Sequence, residues 1–167
     1  MNEKAGVAVS VVMGSDSDLP VMEETVKVLE AFSIPHELYL TSAHRTPERT
    51  AQFARGAAKR GVRVIIVGAG AAAHLAGVIA SQTLLPVIGV PIDATSLQGL
   101  DALFATVQMP GGIPVATMAI GKAGAKNAAL LAIRILALDD VDLFKRLQAY
   151  VRKMAQEIER KHENLKK

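Results

Sequence analysis

The sequence predicts an α/β fold: a three-layer sandwich around a five-stranded parallel sheet, with a long helix at the C-terminal end. Two observations carry this reading. Short β-branched runs alternate with helix-patterned segments along the chain, the signature of a parallel sheet covered by helices on both faces. The first, third and fourth runs are nearly continuous in apolar residues, as strands buried on both faces must be. Composition agrees: half of the residues are hydrophobic but only 4% are aromatic, so the apolar mass is Ala, Val, Ile and Leu.

Taken in order, residues 7–13 read as the first strand, and 19–32 carry a helical pattern. Residues 37–41 form a second strand, and 47–60 a second helix whose start is marked by Thr46 followed by Pro47, a cap-then-first-turn signal. The third strand is expected at 62–67, with a helix at 74–83. The fourth is at 87–92, with a helix at 97–107. The fifth is at 115–120, with a helix at 126–138, and a last helix runs over 141–164. No repeat or linker divides the chain. Its 167 residues are read as one domain, with an α/β core at 7–138 and a helical extension at 139–167.

Several function classes are set aside by composition. The chain has no Cys, which excludes disulfides and zinc–thiolate sites and is compatible with a reducing compartment. The first ten residues lack a secretory pattern, and His74, Gln82, Pro86 and Arg134 interrupt the apolar runs; no membrane span and a cytoplasmic location are expected. Net charge is +3, and the stretch from Asp139 onward mixes eight Lys and Arg with six Asp and Glu, so no nucleic-acid-binding stripe is present.

In open parallel sheets, ligands bind beyond the carboxyl ends of the strands, where strand order reverses. With the flavodoxin-like order 2-1-3-4-5, the loops after the first three strands lie side by side there. The first, Gly14-Ser15-Asp16-Ser17-Asp18, offers the hydroxyls of Ser15 and Ser17 for a phosphate and a carboxylate for a ribose diol. Ser and Asp are also ordinary N-cap residues. The second, Ser42-Ala43-His44-Arg45-Thr46-Pro47, pairs an Arg fork suited to phosphate with an imidazole suited to proton transfer. The third spans Gly68 to His74. Its Gly68-x-Gly70-x-x-Ala73 pattern, with Asp93 further on, partly matches a dinucleotide fingerprint. Equally, Gly68 and Gly70 let backbone N–H groups approach a planar base or a carboxylate. His74 either lines the site or caps the next helix, and a metal held by His44 and His74 lacks a third ligand. His36 and His162 fall outside the site. A receiver domain would need Asp where Gly68-Ala69-Gly70 stands, and a flavodoxin phosphate loop would not carry Asp16 and Asp18.

Together with Gln108-Met109-Pro110-Gly111-Gly112-Ile113-Pro114-Val115-Ala116-Thr117, these loops resemble the N5-carboxyaminoimidazole ribonucleotide mutase (PurE) family over residues 7–138. Arg45 after His44 resembles the class I, ATP-independent mutases; class II relatives, which carboxylate aminoimidazole ribonucleotide with CO2, have Lys there. The resemblance implies that Ser15 and Arg45 hold a 5′-phosphate, with Ser42 nearby and Ser17 in the same loop. Asp18 would bind the ribose, and His44 would be general acid and base. The backbone of Ala69 to Ala72, including Gly70 and Ala71, and the His74 loop would meet the base and carboxyl group. It also implies CO2 as a bound intermediate, a homo-octamer, and neither metal nor organic cofactor. The sequence departs from the family at Ala71 and Ala76, where Gly and Pro are usual. Class II-like carboxylation and dinucleotide binding are the alternatives.

Two helices suggest association. The segment 126–138 is apolar on nearly every side, which demands cover all round. The last helix carries Phe144, Leu147, Val151, Met154, Ile158 and Leu165 as a stripe roughly 30 Å long at ~1.5 Å per residue, long for one small sheet to cover. The extension is expected to pack on a neighbouring subunit.

Overall fold

The computed structural model describes residues 6–166. Five strands, β1 (Val9–Met13), β2 (His36–Leu40), β3 (Val64–Gly70), β4 (Val87–Ile92) and β5 (Ala116–Thr117), form one sheet in the order β2-β1-β3-β4-β5. Every pairing is parallel. The helices are α1 (Leu19–Ala31), α2 (Pro47–Ala57), α3 (Leu75–Ala80), α4 (Leu100–Val107), α5 (Gly121–Leu136) and α6 (Val141–Leu165). The expected fold class and strand order are both present.

All residues of β1 and β4 are buried, and all but the last of β3. Strands buried this way need cover on both faces. On one face, Val12, Ile65, Val67 and Ala69 join Phe53, Ala54 and Ala57 of α2 and Leu75, Ala76 and Ile79 of α3 in one apolar cluster. The other face holds α1: a Cβ built on Gly68 would collide with the sulfur of Met22. Alternation along β3 thus sends Ile65, Val67 and Ala69 one way and Gly68 the other. Thr25 in α1 donates its hydroxyl to the carbonyl of Ala125 in α5 at 2.9 Å, so α1 and the first half of α5 lie together.

The described residues divide into two compact units, one ending at Ala132 and the other beginning at Ile133. In the second, the side chain of Asp140 caps α6 by accepting from the Leu143 N–H at 2.9 Å. Leu143 and Leu147 are buried, while Phe144, Val151, Met154, Ile158 and Leu165 of the stripe are exposed.

Element ends differ from expectation where hydrogen bonding overrides pattern. β3 continues to Gly70, three residues past the expected end, because Gly68, Ala69 and Gly70 pair with Val90, Pro91 and Ile92. β5 shrinks to two residues paired with Ile88 and Gly89. α4 starts at Leu100 because Gln98 and Gly99 both take left-handed backbone conformations (φ 52° and 82°) that a helix cannot contain.

Candidate active site

The ends of β1, β2 and β3 open into a cavity of about 370 Å³, lined by Gly14, Ser15, Ser17, Asp18, Ser42, Ala43, His44, Arg45, Ala69, Gly70, Ala71, Ala72, Leu75 and Ala94. A larger open groove of about 1050 Å³ lies elsewhere, between Arg55, residues 80–87 and Gly112, Ile113, Pro114 and Ala116. It is lined by no His, Asp or Glu, whereas the smaller cavity is lined by His44 and Asp18. The 108–117 motif therefore borders the groove and does not reach the cavity within one chain.

After β1, residues Asp16–Asp18 form a single 3-10 turn capped in both directions. The Ser17 N–H donates to Ser15 Oγ at 3.3 Å, and the Ser15 N–H donates to the Asp18 carboxylate at 3.0 Å. The Ser17 hydroxyl donates to Ser15 Oγ at 2.9 Å. The Ser and Asp residues thus do cap, while still presenting hydroxyls to the cavity. Asp18 is buried, and burial pushes its carboxyl above the ordinary value of 3.8. The N–H groups of Ser15 and Gly14 oppose that shift, the charge of Asp16 adds to it and that of Arg45 opposes it.

The loop after β2 is tied to itself. Thr46 Oγ1 accepts from the Ser42 N–H and donates to the Ser42 carbonyl, both at 3.0 Å. Thr46 occupies the N-cap position of α2, but its side chain makes no cap bond; the local loop bonds win. Closed in this way, the loop projects His44 and Arg45 outward. The Arg45 guanidinium donates to the Gly14 carbonyl at 3.0 Å and to Ser42 Oγ at 3.4 Å, joining the first two loops.

The third loop supplies the partner of His44. His74 sits at the N-cap position of α3 without capping it. Its Nδ1 lies 2.9 Å from His44 Nε2, with the rings edge-on at 85°. One nitrogen donates and the other must hold a lone pair. His74 therefore does not cap the helix; its side chain meets His44 instead. Gly70 is required: a Cβ there would stand 2.6 Å from the Ala94 Cβ and 3.2 Å from the Ile92 carbonyl oxygen. Ala71 has φ 53°, a left-handed conformation costly for any residue with a Cβ.

Gly68 is corrected. It does not free backbone for a ligand; it lies inside β3 under Met22 and Ile92, where packing alone demands glycine. The dinucleotide fingerprint fails with it, since Gly68 to Gly70 are strand and the helix that follows has only six residues. His36 and His162 lie in β2 and in the last turn of α6, as expected. Among the described residues, no cluster of three or more His, Asp or Glu could hold a metal ion.

One residue escaped the sequence reading. Arg49, in the first turn of α2, borders a second cavity of about 310 Å³ that shares Gly14, Ser15, Ser42 and Arg45 with the first. It donates to the Tyr39 hydroxyl at 3.2 Å and lies over that ring at 5.1 Å. Its position four residues after Arg45 was the available signal.

A family model described as AIR carboxylase matches residues 8–157. The chain belongs to the AIR carboxylase family. Among members, the N5-carboxyaminoimidazole ribonucleotide mutase of Pyrococcus horikoshii is 55% identical over 157 residues, covering 94% of this chain and 88% of that protein. The mutase of the same name from Escherichia coli K12 is 50% identical over 150 residues, covering 90% of this chain and 89% of that protein. The crystal structure of Treponema denticola PurE superposes with a TM-score of 0.86 at 30% identity, covering 96% of this chain and 99% of that one. AIR carboxylase family membership thus accounts for both the strand order and the three loops.

Proposed function

We propose that this chain is an isomerase of purine biosynthesis that converts N5-carboxyaminoimidazole ribonucleotide to its 4-carboxy isomer without ATP. The observation that carries this reading is one cavity bordered by His44, Arg45, Ser15, Asp18 and the segment 69–72, with His74 bonded to His44. The names of its relatives support the same reaction.

The roles follow from chemistry. Arg45 and Ser15, with Ser42 and Ser17 beside them, hold the 5′-phosphate through a fork of N–H donors and hydroxyls. Asp18 accepts the ribose hydroxyls. These contacts sit away from the reacting atoms and fix the ring in place. His44 gives a proton to the exocyclic nitrogen of the carbamate, the N–C bond breaks and CO2 is formed. Ring carbon four attacks that CO2, and His44 takes back the proton that carbon four must lose, so protons balance over the cycle. His74, bonded to His44, holds the ring in place between the two transfers. The Ala- and Gly-lined wall near Ala69, Gly70, Ala71 and Ala72 keeps CO2 beside its acceptor and limits water. The scheme uses only groups of this chain.

The same reading makes the protein a cytoplasmic homo-octamer, one domain per chain, with residues 139–167 packed on a neighbouring subunit. The exposed Phe144, Val151, Met154 and Ile158 of α6 support association, as do Leu100, Phe104 and Val107 of α4. No helix among the described residues is long and apolar enough to cross a membrane.

The decisive assay supplies the carbamate nucleotide with ATP absent and follows the 4-carboxy isomer. Conversion above the uncatalysed rate is expected. Activity only with aminoimidazole ribonucleotide and bicarbonate would replace this reading with direct carboxylation.

A further inference from the structure

Asp101 stands in the first turn of α4. Its Oδ2 accepts the Thr95 hydroxyl at 2.8 Å. Its Oδ1 is buried and, among the described residues, is the one buried side-chain oxygen or nitrogen that takes no hydrogen bond from the chain. Burying half of a carboxylate without a partner costs free energy, so the fold carries Asp101 at a cost. Thr95 links that carboxylate to a turn. Its hydroxyl accepts the Leu97 N–H at 3.1 Å, and its carbonyl accepts the Gln98 N–H at 3.1 Å. Gln98 and Gly99 then run left-handed. A Cβ on Gly99 would stand 3.4 Å from the Asp93 Cα and 2.6 Å from Ile120 Cγ2, so the end of the turn comes back close to its start. Between these ends sits Ala94, which borders the cavity that holds His44 and lies against Gly70 at the end of β3.

We infer that Asp101 is a positioning residue: through Thr95 it fixes the 94–99 turn, and with it the part of the cavity wall that Ala94 supplies. The identity of the substrate rests on the isomerase reading above. Asp101 itself does not border the cavity, so its effect is carried by the turn. A hydroxyl donates more strongly to a carboxylate than to a neutral acceptor. Donating its one proton to Asp101 also leaves the Thr95 oxygen its lone pairs for the Leu97 N–H. A non-glycine residue such as Gln98 holds a left-handed conformation only where its surroundings fix it, and the Thr95 bonds supply that restraint. One carboxylate in α4 thus sets one hydroxyl, the hydroxyl sets the turn, and the turn sets Ala94 against the end of β3.

The test uses the full chain and measures KM and kcat for isomer interconversion, with the Kd of the 4-carboxy isomer by calorimetry. Wild type is compared with Thr95→Val, Thr95→Ser, Asp101→Asn and Thr106→Val, all well below their melting midpoints. Thr95→Val removes the hydroxyl at nearly the same shape and should raise KM and Kd about fivefold, as the wall shifts. Thr95→Ser keeps the hydroxyl and should stay near wild type. Asp101→Asn keeps an acceptor without the charge and should raise both constants about two- to threefold. Thr106→Val removes a buried hydroxyl of the same helix, bonded to the Ala102 carbonyl with neither residue bordering the cavity, and should lower stability with KM unchanged. A folded Thr95→Val or Asp101→Asn protein with wild-type KM and Kd overturns the proposal. So does a Thr106→Val protein with the same rise in KM, since loosening of α4 would then explain both. Wild type that binds the 4-carboxy isomer without interconverting it removes the isomerase reading, and the Kd ratios still decide the positioning role. Wild type that does not bind it removes both.

Discussion

Gly70 joins the end of β3 to the site, and Gly70→Ala is the sharpest test of that joint. The new Cβ would lie 2.6 Å from the Ala94 Cβ and 3.2 Å from the Ile92 carbonyl oxygen. Carbon atoms settle at about 3.5–4.0 Å, so the first contact is short by about 1 Å. Neither neighbour is the end of a flexible side chain, so backbone must move. Overpacking of this kind costs about 1–3 kcal/mol. Replacing glycine by alanine in a strand returns roughly 0.5–1 kcal/mol of chain entropy. The net expectation is a loss of about 1–2 kcal/mol, and at about 2–4 °C per kcal/mol for a chain of this size, a melting midpoint lower by about 2–8 °C. Thermal and urea unfolding at fixed protein concentration measure it, the urea midpoint falling with little change in slope. Gly111→Ala is the control, since a Cβ there meets nothing within 4 Å. Because Ala94 is also cavity wall, the Gly70 variant should raise KM as well. A Gly70→Ala protein as stable as the Gly111→Ala control would refute the claim that the β3–β4 approach shapes this cavity.

Arg45→Met should raise KM by about 10–100-fold with a smaller change in kcat, the loss expected when charge-assisted phosphate bonds worth about 1.5–3 kcal/mol are removed; steady-state kinetics check it, and an unchanged KM contradicts the phosphate role. His74→Phe should lower kcat by about tenfold and alter the pH profile while circular dichroism stays native, consistent with a residue acting through His44. Burial holds the Asp18 carboxyl above its ordinary 3.8, so the ionised form is disfavoured by the fold. Its favourable contribution is complete below that value and is lost as pH rises through the folded value. Asp18→Asn should therefore gain urea resistance relative to wild type between acid and neutral pH, while losing affinity for the ribose. A constant difference across that range would deny the burial effect.

Much of this was readable in the residues. β4 falls at Val87–Ile92 as expected, because six buried apolar residues end at Pro86 on one side and Asp93 on the other. The Ser15–Asp18 cap was visible as a residue pattern because capping is local. What escaped depends on distance along the chain. The Gly68 position looks like a ligand glycine until Met22, 46 residues away in sequence, fills the space above it. The bond between His44 and His74 spans 30 residues and arises only when β1, β2 and β3 lie in order. Arg49 reads as a helix-surface charge until Tyr39 on the neighbouring strand fixes it beside Arg45. The left-handed backbone at Ala71 is not legible from alanine itself, which rarely adopts it; the one hint was the Gly usual at that position in the family that the loops resemble.

The most direct measurement is the rate of carbamate-to-carbon isomerisation, without ATP, in His44→Asn beside wild type, together with substrate binding by calorimetry. A loss of kcat of about 10²–10⁴-fold with binding retained is expected if His44 is the proposed acid–base group. A His44→Asn protein that turns over at near wild-type rate would contradict the assignment of proton transfer to this imidazole.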